Sequence, residues 1–565
     1  MALMRHVVLT TFLLSLVVVK TAPTPTTTSF DVIVYGATPA GILAALAAAG
    51  EGNTTVALLD PRSWIGGAMT GGLAITDIGT TTAVIGGRTR KFFETVTSHY
   101  ASPKPLYDFE PHIAEKIFWF LLNATNISVQ LNTRITSLTK GADSPSRITT
   151  ATTASSSNAL SARVWIDTSY EGFLLPLANV SFTYGRESTS TYNETIAGVL
   201  PVPHPFPTAD KPFVAQPQVW AGVNGRASDG SLLPGVSSTP PGPIGSGDVS
   251  IQAYSYRTTF TNNRSNILRP WPKPANYNAS LYALALNAIL YFNLTTMNSV
   301  VWFGALLPCV GVVNCSSTKG DSNNHKFGQF YLANSYPLAV ATNNWAAQNA
   351  VWDDYRTAQL GLYYFLANDI SVPQSIRDSA NTDFGLPLDE HIACGHFPCQ
   401  LYVREALRMV SDFVLTQDDI FNDISQPDSI GRGAYSVDVM HSSIFYTPNG
   451  TTTTATTTGG SGDGGILTVE AGMQAPSFLN KSIAPFQIPY RSLLPRRMEA
   501  TNLLVPVALS SSHVGFNAVR LEPTWMTLGE SAGVAAAMAV REDINVQDVD
   551  IMELQARLWQ LGQIL

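Results

Sequence analysis

Charge is scarce in this chain. Of its 565 residues only 13% are Asp, Glu, Lys or Arg, about half the usual share, and Thr, Ser and Asn take their place on the expected surface. The net charge is −8 and no long basic run occurs, which argues against nucleic acid or an anionic membrane as a partner. Cysteine is scarce too: Cys309 lies near Cys315, and Cys394 near Cys399. Neither pair has the Cys-x-x-Cys spacing of a redox dithiol or a zinc site, and the histidines are scattered, so no metal site is expected. In an oxidising compartment the simplest arrangement is two local disulfides, although other connectivities are open.

What is present is apolar and globular. Hydrophobic residues make up 45%, enough for two or three domains with sizeable cores. Arg5 and His6 precede an apolar run from Val7 to Val19, with Lys20-Thr21-Ala22 after it. That run is short for a bilayer and has the layout of a secretory signal peptide over residues 1–22, an uncleaved anchor being the alternative. Signal cleavage leaves no integral span. Asn-X-Ser/Thr acceptors at Asn53, Asn123, Asn126, Asn179, Asn193, Asn263, Asn278, Asn293, Asn314, Asn449 and Asn480 fit passage through a eukaryotic secretory route.

The chain is organised around residues 31–60. Asp31-Val-Ile-Val-Tyr35 reads as a buried strand, Gly36-Ala37-Thr38-Pro39-Ala40-Gly41 as a turn, and the Ala/Leu run to Ala49 as a helix. A second apolar run, Val56-Ala-Leu-Leu59, ends on Asp60. Strand, glycine turn, helix, strand and carboxylate is the order of a dinucleotide-binding βαβ unit. Gly36 allows the tight turn, and Gly41 lets the helix pack on the strand. The helix amides face a pyrophosphate, and Asp60 stands where it can accept from the adenosine ribose. Thr38 occupies the middle position, usually glycine. Further on, Ala162-Arg-Val-Trp-Ile-Asp167 is a return strand ending in an acid, whose alternative role is to cap a loop. Helices are expected over residues 107–122, 361–368 and 400–413, strands over 127–130, 133–138 and 502–509, a hairpin tip over 141–160, and a mobile loop over 451–465. On the helix at 400–413, Tyr402, Arg404 and Glu405 read as an ion-paired face. Near the end, Gly529-Glu-Ser-Ala-Gly533 reads as the opening of an Ala-rich helix.

After Asp60, Trp64-Ile65-Gly66-Gly67 resembles the second signature of two-dinucleotide-binding-fold flavoproteins, which favours FAD over NAD. The wider pattern is more specific. Gly36-Ala-Thr-Pro-Ala-Gly41, Asp167-Thr-Ser-Tyr-Glu-Gly172 and Tyr184-Gly-Arg-Glu187 are followed by Gln252-Ala-Tyr-Ser-Tyr-Arg257, Gly320-Asp-Ser-Asn-Asn324 and Leu401-Tyr-Val-Arg-Glu-Ala406. Ile488-Pro-Tyr-Arg-Ser-Leu493, Ser510-Ser-Ser-His513, Arg520-Leu-Glu-Pro523 and Leu528-Gly-Glu-Ser-Ala-Gly533 come after them. These blocks, in this order, resemble the FAD-dependent oxidoreductase family, some of whose members are labelled xanthan-lyase-like. Phe173 stands where that family tends to carry Asp, and Asp60 where it often has Glu.

The resemblance implies an α/β protein: a FAD/NAD(P)-binding Rossmann-like domain assembled from separated segments (30–187 and 486–545), with an inserted substrate-facing α+β region (188–485) and a C-terminal helix (546–565). FAD contacts are expected from Gly36, Thr38, Pro39, Ala40, Gly41, Asp60, Arg62, Gly66, Gly67, Asp167, Gly529, Ala532 and Gly533. The implied activity is hydride transfer between a small organic substrate and FAD in a secreted enzyme, with an unknown electron acceptor. His513 is the candidate proton-transfer group, oriented by the serines before it, the alternative being a histidine that only hydrogen-bonds the flavin or caps the strand. Arg520 is the candidate holder of an anionic substrate or flavin charge. The alternative is a polysaccharide lyase-like protein acting on carbohydrate by β-elimination, which needs no flavin.

Overall fold

The computed structural model describes residues 27–200, 218–220, 223–301, 318–322, 333–422, 424–440, 442–447, 466–470, 473–474 and 483–565. The signal segment, Cys309 and Cys315, the run 451–465 and the acceptors Asn314, Asn449 and Asn480 lie outside the described residues.

Strand β1 (Thr27–Tyr35) is the centre of the main sheet. Val32, Ile33 and Val34 are fully buried, as expected of a parallel strand covered on both faces. Helix α1 (Pro39–Ala49) follows at once. Thr38 is its N-cap, the side-chain oxygen accepting from the amide of Gly41 at 3.2 Å, and Pro39 takes the first turn, where a missing N–H costs nothing. Strand β2 (Val56–Leu59) lies parallel to β1, and β3 (Ser128–Gln130) parallel to β2. Between them, α2 (Gly87–His99) and α3 (Pro111–Asn123) form part of the covering layer.

On the other side of β1 runs β6 (Ala159–Asp167), also parallel. The far edge of β6 is shared. Its N-terminal half pairs with β5 (Ile148–Thr153), the second strand of an antiparallel hairpin with β4 (Ile135–Lys140). Its C-terminal half pairs in parallel with the short β7 (Leu503–Leu504). Asn502 bridges the change of partner, its side chain donating to the carbonyls of Ile148 and Arg163 and accepting from the amide of Ile148. The strand expected over 502–509 is therefore two residues long, and the tip expected over 141–160 contains β5.

Helix α4 (Trp345–Asn368) includes the segment expected at 361–368. The C-terminal stretch forms α5 (His513–Val519), α6 (Glu522–Glu542) and α7 (Ile551–Gln560). Here the structure corrects the sequence reading. Helix α6 starts at Glu522, so Gly529, Ala532 and Gly533 sit inside it rather than at its start. They are the surface by which α6 lies on α1: a Cβ on Gly529 would stand 2.2 Å from the carbonyl oxygen of Ala40, and one on Gly533 2.2 Å from that of Ala44. The glycines serve close helix approach.

Residues 400–413 are not a helix either. Leu401–Tyr402 pairs with Ser255–Tyr256, and Arg408–Met409 with Phe182–Thr183, both antiparallel. Other short ladders join Thr258–Thr261 to Lys319–Ser322 and Ser429–Gly433 to Phe486–Pro489. One continuous apolar core runs through the sheet, its helices and these ladders. Among the described residues no helix is long and apolar enough to cross a membrane.

Candidate functional site

The C-terminal ends of β1, β2 and β6 open on one side of the sheet, where ligands of such sheets bind. A narrow cleft there is lined by Gly36, Thr38, Asp60, Arg62, Trp64, Gly67, Tyr170, Glu171, Trp352 and Gln400. Gly36 has φ +109°, and a Cβ on it would stand 2.6 Å from the amide nitrogen of Ser169. Asp60 accepts from the amides of Ala37 and Arg62, both at 2.7 Å, which ties β2 to the glycine turn. Burial raises its carboxyl to about 6. The Arg62 guanidinium lies 4.0 Å from the centre of the Trp352 ring and 4.4 Å from that of Trp345, and donates to Asn349 at 2.9 Å. Glu171 accepts from Tyr336 at 2.9 Å, and burial raises it to about 7.

Gly66 and Gly67 both have positive φ, and a Cβ on Gly67 would stand 2.2 Å from the Tyr170 hydroxyl. That hydroxyl accepts from the amide of Ala68 at 2.9 Å and donates to Glu522 at the start of α6. Desolvation raises Glu522 to about 8. From here the chain turns toward a second cleft. A Cβ on Gly72 would stand 2.1 Å from the carbonyl oxygen of Arg257, and Asp77 then forms the second cleft's wall.

This second cleft, of about 530 Å³, is lined by residues 76–80, 105–108, 435 and 436. Behind it charges are paired in the dry. Arg257 is bidentate on Asp321, with contacts of 2.6–3.1 Å. Arg520 meets Asp438 at 3.0 Å and Asn517 at 2.9 Å, and reaches the Tyr402 hydroxyl at 3.5 Å. Tyr435 donates to Asp438 at 3.3 Å. Burial, reinforced by Asp77 and Asp321, raises Asp108 to about 6. Three residues join the two clefts: Arg520, Leu521 and Glu522, the turn between α5 and α6.

The expected site residues separate into groups. Gly36, Thr38, Asp60, Arg62 and Gly67 line the first cleft, whereas Pro39, Ala40, Gly41 and Gly66 adjoin these residues in the chain without lining it. Asp167 does not reach it. Its oxygens accept from the Ser169 amide and hydroxyl and from the Leu174 amide at 2.6–3.0 Å, so it caps the loop that carries Tyr170 and Glu171. Arg520 stands at the second cleft. His513 is buried on α5 with Nδ1 2.8 Å from Glu405, and desolvation with the nearby Arg408 lowers its pKa to about 3. The serines before it do other work: Ser512 caps α5 and donates to Glu194, and Ser510 donates to Phe413. His513 reaches Arg520 through a relay, Glu405 to Gln252 to Asn517.

Glu522, Glu171, Trp352 and Asp438 were given no role on sequence grounds. Glu171 and Glu522 stand inside the family-like blocks, but their importance comes from burial beside Tyr336 and Tyr170, far away in sequence. The acids Glu110 and Glu390 and His112 are close enough to share a metal ion. Lys319 already fills that position, 2.6 Å from Glu110 and 2.8 Å from Glu390.

The model of the family described as FAD dependent oxidoreductase matches residues 31–558. The chain belongs to this family. FAD is the cofactor and oxidoreduction the reaction class named in that family's description. No curated protein matches the chain. Solved structures resemble it over limited stretches. One is L-proline dehydrogenase from P. horikoshii, at 15% identity and TM-score 0.18 over 32% of this chain and 27% of that one. T. acidophilum thioredoxin reductase shows 20% identity and TM-score 0.16 over 25% of this chain and 34% of the other. L-amino acid deaminase from Proteus vulgaris shows 12% identity and TM-score 0.21 over 30% and 54%. The matches span 27%, 35% and 34% of the first three such structures, and at these scores they place no residue.

The residues of the first cleft fit FAD. Gly36 and Gly67 line the cleft and lie directly against the Ser169 backbone and the Tyr170 ring, which brings the glycine turns onto the loop that follows β6. Arg62 Nη2, Glu522 Oε2 and Trp525 Nε1 are buried polar atoms without a hydrogen-bond partner among the described residues, which is the unmet demand a polar ligand answers. The open space between the side chains is about 30 Å³, far less than a dinucleotide fills, so FAD binding requires this cleft to open.

Proposed function

We propose that this protein is a secreted FAD enzyme that exchanges a hydride with a small organic substrate bound in the second cleft. The observation that carries the reading is the turn Arg520-Leu521-Glu522, which touches the nucleotide cleft through Tyr170 and the charged cleft through Asp438. Bound FAD supplies a two-electron acceptor. The turn before α1 and the amides of its first residues would hold the pyrophosphate, with Asp60 toward the ribose and Arg62, Gly66 and Gly67 along the cofactor. The start of α6, at Glu522, takes the place first given to Gly529 as the helix end directed at the flavin.

On the substrate side, Asp438 and Tyr435 hold Arg520 in one orientation. His513 is neutral at working pH, because its pKa of about 3 lies well below neutrality. Its proposed part is therefore to hold a hydrogen bond and keep Glu405 in place, rather than to titrate during turnover. Secretion is supported by the acceptor residues Asn53, Asn123, Asn126, Asn179, Asn193, Asn263, Asn278 and Asn293, every one of them exposed.

A visible spectrum of the purified chain tests the core of the reading. Flavin bands that bleach on adding reductant are expected. A colourless protein that takes up no FAD and cleaves acidic polysaccharide would instead return the elimination chemistry. Glycosidase treatment of the secreted chain is expected to lower its mass.

A further inference from the structure

Three guanidinium groups stand together behind the second cleft, and among the described residues only two of them have an acid. Arg257 has Asp321 and Arg520 has Asp438. Arg404 is 3% exposed, yet among the described residues no carboxylate lies within ion-pair distance of it. Its Nε donates to the carbonyl of Ala253 at 2.8 Å. Its Nη2 is buried with nothing among the described residues to accept from it, and the guanidinium sits 4.8 Å from the centre of the Tyr402 ring. Burial lowers its pKa to about 10, opposed by Tyr402 and reinforced by Arg520, so at neutral pH it remains a cation. A buried cation without an anion is among the costliest arrangements a fold can carry.

Its surroundings say what is missing. Tyr402 lies under Arg404 and within 3.5 Å of Arg520, which is bound to Asp438, and Asp438 accepts from Tyr435 on the cleft wall. Arg404 thus lies behind the wall of the cleft that opens past Asp77 and Tyr435, linked to that wall through Tyr402, Arg520 and Asp438 without itself lining it. Asp438 is already engaged by Arg520 and Tyr435. Two further polar atoms in this part of the fold, Ser255 Oγ and Thr76 Oγ1, are also buried and unbonded among the described residues, and Ser255 is the strand partner of Tyr402.

We propose that Arg404 is the anion anchor of the second cleft, and that the substrate carries a carboxylate which Arg404 binds. A planar carboxylate matches the fork of guanidinium donors, and its arrival would satisfy the unbonded Nη2 and neutralise the third cation. This rests on the second cleft being the substrate site, and it narrows the substrate class from any small organic molecule to a carboxylic acid.

Benzoate serves as the probe and benzamide as its uncharged counterpart. Calorimetric titration of the purified full chain is expected to show saturable benzoate binding, with benzamide binding at least ~10-fold more weakly. Arg404→Met is expected to weaken benzoate roughly 10- to 100-fold, the effect of losing a hydrogen bond to a charged group, while leaving flavin content and the position of the flavin bands unchanged. Without benzoate the variant is expected to melt no lower than the parent, because it removes an unpaired buried charge. With benzoate only the parent is expected to gain melting temperature. Absence of benzoate binding in the parent, or equal binding in a folded Arg404→Met, overturns the proposal. A variant that loses its flavin overturns it too, by assigning the cation to the cofactor. If Arg404→Met does not fold, Arg404 is structural and the proposal falls, unless Arg404→Gln folds and loses benzoate selectively. Because the calorimetry needs no colour, a chain without flavin would defeat the proposed function and still decide the role of Arg404.

Discussion

The two clefts are built on opposite principles. The elements around the nucleotide cleft are packed backbone on backbone: Gly36, Gly41, Gly529 and Gly533 bring main chain against main chain or against a short side chain. The second cleft is backed by long charged side chains, Arg257, Arg404 and Arg520 against Asp321 and Asp438, held by ladders only two to four residues long. Close backbone packing leaves no slack, because a carbonyl cannot rotate out of the way of a new methyl group. Paired side chains can be exchanged as pairs and fail when one member is removed. The same chain therefore has one site sensitive to volume and another sensitive to charge.

The largest effect is expected where that contrast is sharpest. Gly41→Val places a Cβ 1.9 Å from the carbonyl oxygen of Gly36, and Gly529→Val places one 2.2 Å from that of Ala40. Each is expected to cost more than about 3 kcal/mol, beyond the usual range for overpacking, and to yield insoluble or flavin-free protein. A soluble Gly529→Val with full flavin content would show that α6 can slide on α1, and the volume-sensitive description of this cleft would be lost.

Next in size is a pH effect at the junction. Burial raises Glu522 from the ordinary 4.5 to about 8. An acid whose pKa is higher in the folded state stabilises the fold fully below pH 4.5, and that contribution is lost as pH rises toward 8. The ceiling is about 5 kcal/mol, since each tenfold change in proton affinity is worth about 1.4 kcal/mol. Glu522→Gln, which stays neutral, is expected to flatten the decline of denaturant midpoint between pH 5 and 9. Parallel curves for parent and variant would place the ionisation elsewhere, with Glu171 the next acid to substitute.

Much of the nucleotide side was legible in the sequence, and the reason is local. A run such as Val32-Ile-Val-Tyr35, a Gly-x-x-x-x-Gly turn and an alanine helix each declare themselves within a few residues, and their order fixes how they join. The misreading of Gly529 came from the same locality: glycine before an Ala-rich run looks like a helix start, and only the presence of α1 beside it reveals a packing notch. The charged cleft was far less legible. Arg404 belongs to a segment read as a helical ion-paired face, yet it lies in irregular chain between the short strands Leu401–Tyr402 and Arg408–Met409, and its lack of an acid among the described residues is a fact of three dimensions. Asp167 resembled a cofactor ligand because it ends a strand. The amides of Ser169 and Leu174, two and seven residues on, consume it instead.

The charge-sensitive side can be tested against itself. Asp321→Asn leaves Arg257 buried and unpaired and is expected to cost about 3–5 kcal/mol, whereas removing both charges with Arg257→Met and Asp321→Leu is expected to cost less. Chemical denaturation of the two variants gives the comparison. A double variant that is worse than the single would mean that Arg257 is held by packing, and the cleft would then belong with its neighbour.

The smallest effect belongs to a link outside both principles. Cys394 and Cys399 are joined by a disulfide, with Cα atoms 5.5 Å apart, as the close spacing of that pair led one to expect; the other pair lies outside the described residues. The closed loop is short, so the chain entropy it removes from the unfolded state is worth about 2 kcal/mol. The bond nonetheless sits close to the nucleotide cleft, because the backbone at Gln400 approaches Gly71, where a Cβ would stand 2.2 Å from the Gln400 Cβ. Arg356 of α4 also donates to the carbonyl of Cys394. Cys394→Ser with Cys399→Ser is accordingly expected to lower the denaturation midpoint slightly and to leave flavin binding in place, since Gly71 and Arg356 still hold the loop. Flavin titration of the double variant distinguishes two roles for the bond. Unchanged affinity with a small stability loss marks a simple staple. A loss of flavin out of proportion to stability would mean that the loop positions Gln400 on the cofactor, extending the rigid, backbone-built side of the molecule by one more segment.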